Sequence, residues 1–181
     1  MLNQSQLAVL VAAIQAETDA DFVGYRANGQ TTQILNFYNS AATPAFQVWR
    51  DTTPASEIYD AINWANFTPT DTPDGTATWT NRSLACQGKQ FNLQTLLSGR
   101  ETISTGRPNI RAGLQDALQN IPSGLGGSNA VGGWPNVKSV IQRPATRFEK
   151  LFATGAGTTA NPATLADLRL TEQDITAALS V

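Results

Sequence analysis

Histidine is missing from all 181 residues of the chain. Without an imidazole there is no Ser-His or Cys-His nucleophile pair, no His-ligated zinc and no His general base. Cysteine occurs once, at Cys86, which excludes an intrachain disulfide and says nothing more about compartment. Charge is scarce as well: Asp, Glu, Lys and Arg make up 14% of the residues, against roughly a quarter in ordinary domains. The three Lys and nine Arg form no basic stripe, so the phosphate-neutralising contribution that dominates nucleic-acid binding has no source. The opening MLNQSQLAVLVAAIQAETDAD lacks a basic leader region, and its apolar run is short and broken by Gln. Neither a signal peptide nor a membrane span is expected from it, so the chain is expected to be made in the cytoplasm with no membrane partner.

Neutral polar residues replace the missing charge: 13 Asn, 13 Gln and 22 Thr, beside 41% apolar residues and a net charge of −2. A chain of this length can build one ordinary domain, with room for an arm. An amide costs less to desolvate than a charge, so a surface rich in Asn, Gln and Thr suits extensive packing against other protein.

Helical periodicity runs through most of the chain. Leu7, Leu10, Val11 and Ile14 fall on one helix face within residues 5–16. Thr18 or Asp19 can cap a second helix that stops near Gly29, and Ile34, Leu35 and Tyr38 make a third. AFQVWR reads as a short extended piece, and Pro54 suits the first position of a helix with Ile58 and Ile62 inward. FTPTDTPDGT (67–76) is a linker. The longest helix is expected from about Thr78 to Ser98, with Cys86, Leu93 and Leu97 in one row, Leu84 and Phe91 beside it, and Gly99 as terminator. A further helix carries Ile110, Leu114, Ala117, Leu118 and Ile121 and ends at Pro122. Val137, Val140 and Ile141 begin another, which Pro144 must kink or restart, and Phe148, Leu151 and Phe152 continue it to Gly155. Residues 153–165 read as a flexible connector. Thr171 with Asp174, and Leu170 with Ile175, then give the cap and staple of a short last helix. The fold is therefore expected to be all-α, a helical bundle with long loops and little or no sheet. Its body spans residues 1–153, and 154–181 form a flexible C-terminal arm ending in a docking helix.

Chemistry-bearing motifs are few. PSGLGGSNAVGGW (122–134) holds five glycines, yet Asn129 stands where a dinucleotide fingerprint needs Gly, and the segment follows a helix. Gly88–Lys89 is followed by Gln90, so it is no P-loop. The glycine stretch reads as a loop that orders on a partner or as a plain connection. Asp71, Asp74 and Gly75 lack EF-hand spacing and read as a turn. Asp60, Asp116 and Glu149 read as solvated helix faces, Glu149 beside Arg147 or Lys150. No catalytic signature occurs, and no catalytic residue, cofactor or metal is assigned. Arg100, Arg107 and Arg111, and Arg143 with Arg147, serve either as ordinary surface and helix-end cations or as inter-subunit contacts. Trp134, at the rim of the glycine loop, is the candidate exposed anchor. Candidate partner contacts are Trp134, Gly126, Gly127, Arg143, Arg147, Leu170, Ile175 and Leu179.

Three stretches carry a resemblance in whole segments: AFQVWRDTTPASEIYDAINWANFTPTD, NRSLACQGKQFNLQTLLSGRETISTGRPNIRAGLQDALQNIPSG and KSVIQRPATRFEKLFATG. Over roughly residues 20–155 the chain resembles virion proteins of tailed bacteriophages, similar in character to head–tail connector (adaptor) proteins of the neck. The resemblance implies a homo-oligomeric ring, a dodecamer, beneath the portal protein, with a tail-side neck or tail protein on its other face. DNA would pass through its channel without being read, and the C-terminal arm would dock on the portal. It implies a protein of the virion, assembled in the host cytoplasm, and no enzyme. Many connectors are shorter, which leaves the roles of 67–76 and 122–134 open. A head-completion or tail-terminator component, a small helical enzyme using carboxylates, and a binding module built on the glycine loop are the competing readings.

Overall fold

A computed structural model describes residues 1–67, 84–119 and 133–181. Most of the expected 67–76 linker and 122–134 loop therefore lies outside the described residues, as do Gly126, Gly127, Asp71, Asp74, Trp79, Ile121 and the expected start of the long helix. The described chain is predominantly helical, with a little sheet. It divides into two compact units, Met1–Val48 with Pro144–Val181, and Trp49–Arg143. The chain passes between them within β1 (Gln47–Trp49) and β4 (Gln142–Pro144). The expected division at residue 153 is not where the compact units part.

The first unit contains α1 (Gln4–Ala16), α2 (Ala20–Ala27), α3 (Thr31–Asn39), α8 (Arg147–Phe152) and α9 (Glu172–Leu179). Local chemistry starts these helices. Asn3 and Gln6 close a capping box on α1, Asp19 accepts from the amides of Asp21 and Phe22 on α2, and Thr146 and Thr171 close boxes with Glu149 and Asp174. Leu10, Ile14, Phe22, Ile34, Tyr38 and Phe148 then share one core. Phe22 lies 4.5 Å from Phe37 and edge-on to Tyr38 at 5.8 Å, an arrangement favoured by the ring quadrupoles.

The C-terminal segment corrects the expectation of a flexible arm. α9 packs on α1 and α3, and Ile175 is fully buried among their side chains. Asp174 is 2% exposed and accepts from the Leu2 amide at 2.8 Å, in addition to the Thr171 amide and hydroxyl. The small polar stretch before α9 is ordered too. Thr154 bridges Thr164, Val48 bridges Ala163, and the Gly157 carbonyl accepts from Gln47. Gly157 sits at φ +65 with the Phe46 ring 2.1 Å from where a Cβ would stand, so only glycine fits without a shift. Small, polar composition here marks close backbone approach, not flexibility.

The second unit contains β2 (Thr53–Pro54), α4 (Ala55–Ala61), a 3-10 turn (Trp64–Phe67), α5 (Leu84–Leu97), β3 (Thr102–Ile103), α6 (Pro108–Leu118) and α7 (Trp134–Val140). Antiparallel β2 and β3 set Thr53 opposite Ile103. Ile58, Leu93, Leu97, Ile103, Leu114, Leu118, Val137 and Ile141 form its aliphatic core. Two buried hydroxyls are resolved by counting hydrogens: Thr105 donates its single proton to the Arg50 carbonyl at 2.9 Å, so Thr53 donates to Thr105 at 2.8 Å.

Of the two outcomes expected at Pro144, a kink or a restart, the structure shows the restart: α7 ends at Val140, β4 intervenes and a new cap at Thr146 begins α8, because a proline amide cannot bond back along a helix. One helix expectation is corrected here. Phe91 is 69% exposed instead of lying beside the buried Leu93–Leu97 row.

Candidate functional site

A pocket of about 410 Å³ opens in the first unit. Ala13 and Glu17 at the end of α1, Tyr38 from α3, and Arg147, Lys150 and Leu151 from α8 line it. The chain turns sharply after Ala16: Glu17 is extended, and its Oε1 accepts from the amides of Thr18 at 3.1 Å and Asp19 at 3.2 Å. Arg26 completes that helix end by donating Nη1 to the carbonyls of Ile14 at 2.8 Å and Gln15 at 2.9 Å. The Thr146 cap makes Arg147 the first residue of α8, which brings Lys150 and Leu151 to the same face one turn later.

Two cations and one carboxylate thus line the same pocket. Arg147 Nη1 stands 3.7 Å from Glu17 Oε2, an ion pair longer than a hydrogen bond. The guanidinium lies over the Phe37 ring at 4.1 Å, and its Nε is buried with no hydrogen-bond partner. Lys150 Nζ is 3.5 Å from the Pro44 carbonyl and 5.9 Å from the Phe46 ring. Burial pushes the Tyr38 phenol well above its ordinary range; the nearby Glu17 charge adds to the rise, and Arg147 and Arg26 oppose it. Tyr38 therefore stays a neutral hydroxyl at physiological pH.

The candidate residues scatter when placed in three dimensions. Trp134 is corrected from exposed anchor to core: it is 7% exposed and packs in the aliphatic cluster of the second unit, because α7 starts at that residue and turns the indole inward. Ile175 is likewise core, in the first unit, with Leu170 and Leu179 half-buried against that unit's cluster. Arg143 is half-buried in β4. Of the six candidates among the described residues, only Arg147 lines the pocket. Arg111 turns inward within its unit, donating to the carbonyls of Thr105 at 2.9 Å and Gly106 at 2.6 Å with Trp49 beneath it at 4.6 Å, and burial lowers its pKa. Asp116 has Lys89 Nζ at 3.4 Å from its carboxylate.

Sequence reading missed Glu17, Tyr38 and Lys150 as a group. They come from three distant stretches, and the only local signal was the Thr146–Glu149 cap that fixes the start of α8. Among the described residues, no group of three His, Cys, Asp or Glu side chains could hold a metal, and no helix is long and apolar enough to cross a membrane. In comparisons with known proteins, no family model, no curated protein and no solved structure matches this chain.

Proposed function

We propose that the chain is a structural protein of a tailed-bacteriophage virion, a head–tail connector that forms a ring between the portal and a tail-side protein. The observation that carries this reading is the segment-long resemblance across roughly residues 20–155. Composition supports it physically. A helical chain without histidine, poor in charge and rich in amides offers surface that is inexpensive to bury against neighbours, and heterologous contacts between identical subunits close into rings. The predominance of helix fits a connector better than a tail-terminator or tube component, which needs extensive sheet.

The mechanism is mechanical. Subunits pack side by side, each face of the ring binds one partner, and DNA passes through a channel whose net-negative or amide-lined wall does not hold it. Since α9 supplies core residues to its own unit, portal contact falls to surfaces other than a detached C-terminal arm. The test is to mix the full-length chain with purified portal rings of the same virus and image the product. A stacked ring sharing the portal symmetry is the expected result. Absence of binding, with both proteins folded, overturns the portal assignment.

A further inference from the structure

Of the 13 asparagines in the chain, only Asn28 is followed by glycine. Such a pair can close on itself, because the glycine amide nitrogen has no neighbouring Cβ to shield it from the asparagine side-chain carbon. Asn28 and Gly29 are both exposed at the end of α2, so water reaches them. The fold nevertheless engages every group that the reaction would use. Gly29, at φ +63, donates its amide to the Arg26 carbonyl at 3.2 Å, and the Gln30 amide donates to the Tyr25 carbonyl at 2.9 Å. These two bonds are the Schellman closure of a helix end, and they hold the nitrogen that would attack. Asn28 Nδ2, which would leave, donates to the Gly24 carbonyl at 2.9 Å. At ψ 4, Asn28 turns the Gly29 nitrogen away from its own side chain, and ring closure needs that bond rotated by roughly a third of a turn.

We propose that Asn28 is a self-modifying site gated by the turn that ends α2: the side-chain amide persists while the turn is closed, and each opening exposes it to cyclisation. The Gly29 nitrogen bonds to Asn28 Cγ, the Cγ–Nδ2 bond breaks, and ammonia leaves with the proton that Gly29 gave up. Water then adds across either C–N bond of the cyclic imide, giving aspartate or isoaspartate at position 28. Either product lacks the donor that held the Gly24 carbonyl and places a carboxylate at the negative end of the α2 dipole. Isoaspartate also lengthens the main chain by one carbon, which puts the Gly29 and Gln30 amides out of register with the Arg26 and Tyr25 carbonyls. Opening of α2 is thereby recorded irreversibly in the unit whose core contains its Phe22. Only the chain and water take part, whatever the chain's place in a virion.

The full-length chain is incubated at mildly alkaline pH in water enriched in heavy oxygen, either folded or in urea. The tryptic peptide from Ala27 to Arg50 is then followed by mass spectrometry, with Asn36 and Asn39 as internal controls. In urea, Asn28 is expected to convert faster than both controls, with uptake of a heavy oxygen and isoaspartate as the main product. In the folded chain its conversion is expected to be about tenfold slower or more, since only the open fraction reacts. Gln30→Pro suits the native φ of −80 but removes the amide that closes on Tyr25. With its fold checked by circular dichroism, this variant should convert several-fold faster than the folded wild type and no faster in urea. Equal wild-type rates folded and in urea, or a folded rate untouched by Gln30→Pro, overturn the gate. Conversion in urea no faster than at Asn36 and Asn39, or without isoaspartate, overturns the site itself.

Discussion

The two compact units build their cores by different routes. The 49–143 unit is continuous in sequence, and its core is mostly aliphatic, with Phe67 and Trp134 buried among Leu, Ile and Val side chains on helix faces that repeat every three or four residues. The 1–48/144–181 unit is assembled from both ends of the chain; its core is aromatic around Phe22, Tyr38 and Phe148, and it carries the charged pocket. A continuous unit is written locally and is legible as periodicity. A unit closed by distant segments places its polar groups by tertiary contact, and there the sequence reading went furthest astray.

Removing a large, fully buried side chain from each core should break the comparison most strongly. Phe22→Ala and Leu114→Ala are expected to cost about 3–5 and 2–5 kcal/mol, since both side chains are fully buried. All four tryptophans lie within residues 49–143, so tryptophan fluorescence reports that unit. Followed in urea alongside far-ultraviolet circular dichroism, Leu114→Ala should lower the fluorescence midpoint. Phe22→Ala should lower the dichroism midpoint at least as much as the fluorescence one. The reverse pattern would show that the units are not distinct in stability.

Two left-handed glycines, one in each unit, sharpen the contrast. At Gly157→Ala the added Cβ meets the Phe46 ring and the φ of +65 is strained, so a loss of about 2–4 kcal/mol is expected. At Gly99→Ala, with φ +70 and open space around the Cβ, the conformational cost alone remains, about 1–2 kcal/mol. Chemical denaturation of both variants checks the order, and equal losses would mean that the Phe46 ring yields freely.

Acid should strain the first unit through Asp174. Burial alone would raise its pKa, but hydrogen bonds from the Thr171 hydroxyl, the Leu2 amide and the Thr171 amide, with the N-terminal charge, outweigh this and hold it below the ordinary carboxylate value. A carboxyl with a depressed folded pKa contributes stability that is present above its unfolded value of about 4 and is lost as pH falls through the folded pKa. Asp174→Asn should therefore lower the melting temperature at pH 7 and narrow its distance from wild type as the pH drops from about 4 toward 2. A constant gap across that range would assign the effect to packing and not to charge.

The smallest effect is expected at Phe91→Ala. The ring is 69% exposed, and truncation should change stability by under about 0.5 kcal/mol, which a denaturation midpoint checks.

Much of the local structure was decided by the sequence. The apolar spacing of α1 and α6, the Asp19 and Thr171 caps, the stop at Gly99 and the extended β1 all follow from interactions within a few residues, which operate wherever the chain goes. Tertiary structure alone decided the fate of groups whose local reading has two solutions. A glycine- and threonine-rich stretch is flexible in isolation, but Phe46 and Gln47 hold it ordered around Gly157. A small capped helix is an arm or a core element according to whether its apolar face finds cover, and Ile175 finds it on α1 and α3. An arginine at the first position of α8 is a surface cation or a pocket wall according to what stands opposite. Here Glu17 stands opposite Arg147, about 130 residues away along the chain, a separation at which no periodic or capping signal acts.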